Sequence, residues 1–291
     1  MLIVQYRKIF FAIAGIAVAF SVFAMITKGF NVGMDFKGGS IIEVSYDTQP
    51  SAEALTASLN AAGFEGARIQ MAGEKDVIVK THALSELDRQ NLSNTLSKAG
   101  TNMQEKRFSS IGPTIGKELR TKAWIAIVLV ILGIVLFLAF AFRHVSEPIS
   151  SWKYGVITTV TLIFDILVPM GVFLWLGKEI DALFIVALLS IMGLSVHDTI
   201  VVFDRIRENL KLKVSNSFEV LVGKSLQQTF TRSINTSLTV MVVLAAIFFY
   251  GPASTKDFSF ILWLGIFVGT YSSIFLASPL LVELEKRQNK A

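Results

Sequence analysis

Six stretches of this chain, at about 9–26, 123–142, 155–176, 182–203, 233–250 and 260–282, are apolar for long enough to cross a lipid bilayer. A helix rises about 1.5 Å per residue, so roughly 20 residues cover a hydrocarbon core ~30 Å thick. A segment in lipid must also satisfy its backbone hydrogen bonds internally. These demands leave little choice of fold, and the sequence predicts a polytopic α-helical membrane protein with six transmembrane helices. Composition agrees: 53% of residues are apolar, 17% are charged and the mean hydropathy is +0.59, which is too greasy for a water-soluble globule. The first run is long for the apolar core of a secretory signal, and Thr27-Lys28-Gly29-Phe30 after it offers no small-x-small cleavage site. It reads as the first membrane helix.

Between the first two runs the composition changes, which divides the chain into residues 1–27, 28–122 and 123–291. The middle region reads as a small water-soluble domain. SIIEVSY (40–46) alternates like a strand, and Ala52 to Ala62 reads as a helix with Ser51 as its cap and Gly63 as its stop. ARIQMAG (67–73) and DVIVKT (76–81) flank a Gly73-Glu74-Lys75 turn. A second helix runs from about Leu84 to Ala99, and NMQEKRFSS (102–110) supplies a last strand. The order β-α-β-β-α-β predicts an α+β ferredoxin-like domain. No nucleophile with a base, His cluster or phosphate loop occurs in it, so the expected role is contact rather than catalysis. The links at its ends, NVGMDFKGGS (31–40) with Gly33, Gly38 and Gly39, and IGPTIGKELR (111–120), read as glycine-bearing necks suited to a hinge.

Lys and Arg are distributed unevenly among the connections. One side would hold Arg7, Lys8, Arg143, Lys153, the basic residues from Arg205 to Arg232, and Lys286, Arg287 and Lys290; the other has only Lys178 and Lys256 in its short loops. Cytoplasmic loops carry the positive excess. Both termini are therefore expected in the cytoplasm and the 28–122 domain outside it. The formal charge of +5 is mostly this topology signal, and no clustered basic motif supports a nucleic-acid partner. The chain has no Cys, so disulfides and thiolate metal sites are excluded. No cofactor or metal is expected.

Two acids fall inside membrane runs: Asp198 in SVHDTIVVFDRIREN (195–209) and Asp165 in TLIFDILVPMG (161–171). An intramembrane charge costs at least about 2.5 kcal/mol, so it normally faces a bundle interior and marks an ion or proton path. The fifth run opens with the polar stretch TFTRSINTSLT (229–239). At about 100° per residue, Arg232, Asn235, Thr236 and Thr239 share one helix face, and Arg232 is long enough to reach toward Asp198. A guanidinium that approaches and retreats would unload and load a proton. Asp198, Arg232 and Asp165 are the candidate ion-coupling residues, with His197, Thr199, Asn235, Thr236 and Thr239 as supporting polar groups. Gly265 and Gly269 form a GxxxG spacing that permits close helix packing.

DTIVVFDRIREN, SLQQTFTRSINTSLT, GIFVGTYSSIFLASPLL (265–281) and the glycine-rich GMDFKGG (33–39) together resemble the SecD/SecF family of protein-export membrane proteins. The resemblance runs from about residue 30 to 282. It implies a six-helix unit of the resistance-nodulation-division superfamily in a bacterial inner membrane, paired with a homologous SecD-like subunit. It further implies association with the Sec translocation channel, contact with unfolded preprotein and membrane lipid, and use of an ion gradient to drive export without enzymatic chemistry. Asp198 matches the family's transmembrane acid and Arg232 its helix-five arginine. Asp165 matches the acid of a His-Asp pair in which Phe164 replaces the His, and His197 stands where Asn is common. These departures flank the ion path and leave the coupling ion, proton or sodium, open. Two other readings compete with export: half of an ion-coupled efflux or lipid transporter, and a membrane scaffold, against which the buried acid argues.

Overall fold

The computed structural model describes residues 2–141 and 151–288; Arg143 and Lys290, which carry part of the expected charge asymmetry, lie outside the described residues. The chain divides into two units, one of Met1–Asn31, Ile125–Glu179 and Leu183–Ala291, the other of Val32–Trp124 and Ile180–Ala182.

In the second unit, alternation in the sequence becomes a half-buried sheet. Strands β1 (Gly39–Ser45), β2 (Arg68–Ala72), β3 (Asp76–Thr81) and β4 (Gln104–Ile111) form one antiparallel sheet in the order β2-β3-β1-β4. Ile42 and Val44 of β1 and Val77 and Val79 of β3 are buried against Leu55 and Leu59 of α4 (Ala52–Ala61) and Leu92 and Leu96 of α5 (Glu86–Ala99). Each such apolar side chain contributes about 1.5–3 kcal/mol on burial. Ser51 caps α4 by accepting from the Ala54 N–H, and Ser85 with Asp88 forms a capping box on α5. Tyr46 is enclosed in this core with its hydroxyl donating to the Leu96 carbonyl at 2.9 Å, and burial pushes its phenol up to about 12. Gly100 leaves room for that ring, since a Cβ there would stand 2.5 Å from it. The order of elements is the ferredoxin-like one expected from the sequence.

The short α3 (Met34–Lys37) precedes β1. The segment IGPTIGKELR, expected as a flexible neck, is helical from Pro113, where α6 (Pro113–Ala141) begins. A proline fits the first turn of a helix, where its missing N–H costs nothing.

The first unit is helical: α1 (Leu2–Gln5), α2 (Arg7–Lys28), the membrane part of α6, α7 (Ser151–Trp175), α8 (Ala182–Lys211), α9 (Phe218–Tyr250), α10 (Ala253–Ser272) and α11 (Ser278–Gln288). A single π-helical turn, Ser273–Ala277, joins α10 to α11. Six of these helical segments are long and apolar enough to cross a membrane, α10 and α11 counting as one. Their burial is unequal. Of the apolar windows, 61% is buried for α10–α11, 56% for α7 and 44% for α8, against 11% for α9 and 6% for α6. The first three therefore form the packed centre, and α6 and α9 present most of their surface outward. Close approach depends on small residues: a Cβ on Gly265 would stand 2.1 Å from Ile191, so the GxxxG face of α10 lies against α8. Arg7 bridges Glu219 and Glu283 at 3.2 Å each, and Glu219 also pairs with Lys286. These pairs hold the starts of α2 and α9 and the end of α11 at one end of the helical unit.

Candidate functional site

Asp198 lies on α8, half-buried, and is held by hydroxyls from two other helical segments. The Ser233 Oγ of α9 donates to its Oδ1 at 2.6 Å, and the Ser273 Oγ at the start of the π turn donates to its Oδ2. Asp198 also lines a pocket between α8, α9 and α10 with His197, Arg232, Thr236, Ser237, Gly269 and Thr270. The expected partners thus meet at one pocket. Arg232, however, makes no ion pair with Asp198; serine hydroxyls occupy both carboxylate oxygens.

Helix geometry explains this. Successive residues turn by about 100°, so Ser233 and Ser237, which neighbour the expected polar face of α9, point into the bundle while Arg232, Asn235, Thr236 and Thr239 remain exposed. Thr236 and Thr239 close local bonds to the carbonyls of Arg232 and Thr236 at 2.9 Å and 2.8 Å. Ser237 instead accepts from Thr270 of α10 at 2.6 Å, tying α9 to α10 beside the pocket. His197 is exposed at the pocket rim. Thr199 faces inward, buried, and its hydroxyl has no hydrogen-bond partner among the described residues.

Asp165 is fully buried on α7. Ser195 of α8 donates to its Oδ2, while its Oδ1 has no hydrogen-bond partner among the described residues. Ser272 and Ser273 are adjacent in sequence, yet Ser272 donates to the Gly269 carbonyl at 3.0 Å while Ser273 serves Asp198. Their position at the edge of the π turn fits the frequent occurrence of such turns at functional sites. Pro169 sits within α7 one turn beyond Asp165.

Sequence reasoning passed over Ser195, Ser233, Ser272 and Ser273. Each lies within a motif quoted above, but no local pattern separates them from hydroxyls that bond within their own helix. Gly33, Gly38 and Gly39 lie in the sheet-bearing unit and have no place in the pocket. Gly38 adopts φ 83°, a left-handed conformation that glycine accommodates without strain.

A sequence profile described as "Protein export membrane protein SecD/SecF, C-terminal" matches residues 91–287, and one described as "SecD/SecF GG Motif" matches residues 23–50. Proteins named "Protein translocase subunit SecF" are similar along nearly their whole lengths. The one from Thermobaculum terrenum is 38% identical, covering 98% of this chain and 94% of its own, and that from Vibrio alginolyticus is 34% identical, covering 96% and 88%. A crystal structure of SecDF, described as a translocon-associated membrane protein from a Thermus species, matches with a TM-score of 0.86 at 32% identity. That match covers 98% of this chain and 38% of the longer SecDF chain.

Proposed function

The chain belongs to the SecD/SecF family of protein-export membrane proteins, and from that premise we propose that it is an accessory subunit of Sec protein export that uses the transmembrane ion gradient, of protons or sodium, together with a SecD-like partner. It is a multi-pass protein of the inner membrane, oriented with both termini in the cytoplasm, and it works by movement rather than by enzymatic chemistry of its own. The sheet-bearing domain stands outside the cytoplasm, where it contacts preprotein leaving the Sec channel.

The observation that carries this reading is the pocket in which Asp198 meets Arg232 and His197 within the helical unit. A serine hydroxyl donates to a carboxylate and accepts from a carboxylic acid, so Ser233 and Ser273 serve Asp198 in both protonation states. Arg232 lies in the same pocket with its cation uncommitted to Asp198. Its advance would favour the anion and release a bound ion, and its retreat would allow reloading. Asp165, the second intramembrane acid, is enclosed and holds α8 in register on its neighbours, and Thr199 supplies a buried hydroxyl next to Asp198 on α8. Gly33, Gly38 and Gly39 make the joint that follows the first membrane helix.

The exposed side of α9 supports a homologous partner. Arg232, Asn235, Thr236 and Thr239 are uncovered in this chain, although polar groups at membrane depth normally face protein or a water-filled cavity. A second six-helix subunit packed there would enclose the pocket.

The test is Asp198→Asn in proteoliposomes holding this chain, its SecD-like partner and the Sec channel. Asparagine preserves size and hydrogen bonding but cannot titrate, so insertion should be normal while gradient-driven export falls to the level seen without a gradient. Arg232→Lys should weaken export too, because an ammonium lacks the planar fork of a guanidinium. Normal export and ion flux in Asp198→Asn would make the pocket structural.

A further inference from the structure

Within the sheet-bearing unit, the glycine-rich turn after α2 grips the residues that open α8, the helix bearing Asp198. Val32 pairs with Ile180 in a parallel bridge, and the Gly33 N–H donates to the Ile180 carbonyl at 2.7 Å. The N–H of Ala182, first residue of α8, donates to Asp35 Oδ2 at 2.8 Å across 147 residues of sequence. The opening N–H groups of a helix lack partners within it and mark the positive end of its dipole, so a carboxylate there is both acceptor and countercharge. Only glycine allows the approach at residue 33: a Cβ would stand 2.9 Å from the Ile180 oxygen and 3.2 Å from the Asp181 Cβ. Behind Asp35 the turn is closed by the Gly38 N–H donating to the Met34 carbonyl at 2.8 Å, and it leads directly into β1, which pairs with both β3 and β4.

We propose that Asp35 is the tether through which displacement of the sheet is delivered to α8. It is a positioning residue: it touches no ion, and its functional weight rests on the ion-coupling reading of Asp198. α8 runs without a proline from Ala182 to Asp198, about 24 Å at ~1.5 Å per residue. A pull or release at its first residue is therefore transmitted along a stiff helix to the acid. A backbone contact there would serve as a spacer; a carboxylate adds a charge-assisted bond that holds under load.

The experiment compares Asp35→Ala, Asp35→Asn and Asp35→Ala carrying a Val32→Cys/Ile180→Cys pair, in a chain with no cysteine of its own. The full complex is used, and the readouts are hydrogen exchange of the first amides of α8 and gradient-driven export. Asp35→Ala should raise exchange at residues 182–185 by about tenfold, the loss of one good hydrogen bond, and should abolish most export. Asp35→Asn keeps an acceptor but loses the charge, so its exchange and export should fall between those of Asp35→Ala and the parent chain. Oxidising the cysteine pair should restore export to Asp35→Ala, and reduction should remove it again. Unchanged exchange in Asp35→Ala overturns the contact; raised exchange with normal export overturns the tether. Failure of rescue by the formed disulfide also counts against it. Asp198→Asn run in parallel separates the two ideas, since the exchange readout does not depend on an ion path.

Discussion

Two carboxylates lie within the helical unit, and they differ in access rather than in chemistry. Asp165 is fully buried between α7, α8 and α10, whereas Asp198 is half-buried and forms part of a pocket with Arg232 and His197. Both are held by serine hydroxyls. Burying a carboxylate is costly unless hydrogen bonds compensate; both oxygens of Asp198 have donors, whereas Asp165 Oδ1 has none among the described residues. What distinguishes Asp198 is its place at a pocket with a guanidinium nearby. Asp165 reads instead as the fixed member of the pair. Its donor Ser195 lies on α8 one turn before Asp198, against Gly269 of α10, so Asp165 sets the register of α8 on its neighbours.

The largest effect that would break this comparison is the response to Asp165→Asn measured beside Asp198→Asn. Asp198→Asn is expected to lose all gradient-driven export with its fold intact. Asp165→Asn keeps an amide oxygen for Ser195 and should retain a substantial share of export, while losing about 1 kcal/mol of stability from the poorer hydrogen bond. Export rates and thermal unfolding of both variants decide the matter. If Asp165→Asn is equally inactive at unchanged stability, the enclosed acid carries the ion as well.

The serines give a sharper contrast of intermediate size. Ser233→Ala or Ser273→Ala removes one of the two donors to Asp198; a hydrogen bond to a charged group is worth about 1.5–3 kcal/mol, so export should fall by roughly tenfold or more with normal membrane insertion. Ser195→Ala should act differently. It strips the donor from a fully buried acid, and the loss should appear as about 1–3 kcal/mol of stability, with export per folded molecule near normal. Equal export defects from Ser195→Ala and Ser273→Ala, at equal stability, would erase the distinction between the two sites.

Much of this architecture was legible in the sequence, for physical reasons that also explain what was not. Long apolar runs define the membrane helices, and the alternation in SIIEVSY, the capping residues Ser51 and Ser85 and the Gly73 turn define the ferredoxin-like domain. Asp198 and Arg232 stand out because charge in an apolar run is expensive. The serines do not stand out. Most hydroxyls in these helices bond locally, as Ser21 does to the Ala17 carbonyl and Thr158 to that of Tyr154, and nothing in composition separates them from Ser233, whose bond crosses to another helix. The helical wheel grouped Arg232, Asn235, Thr236 and Thr239 correctly, but only packing reveals that the next face around, with Ser233 and Ser237, is the one turned inward. The Asp35 contact joins positions 147 residues apart, a separation over which no local pattern operates.

The smallest expected effect takes the comparison outside the membrane, to an acid with free access to water. Asp76 of β3 pairs with Lys106 of β4 at 2.6 Å, with the two side chains 27% and 47% exposed. The hydrogen bond from Lys106, and a second with Ser45, hold its carboxyl below the usual aspartate range. A depressed folded-state value contributes stability that is fully present above the unfolded value, near 3.9, and is lost as pH falls through the folded one. Solvent screening limits such an exposed pair to under about 1 kcal/mol. Lys106→Ala should therefore destabilise the sheet by less than that at pH 7, with the difference from the parent chain vanishing near pH 2. Hydrogen exchange of the β3 and β4 amides at the two pH values measures it. If access to water is what separates a costly acid from an inexpensive one, Lys106→Ala will be the mildest of these substitutions; a loss as large as that from Ser195→Ala would show that burial is not the deciding variable.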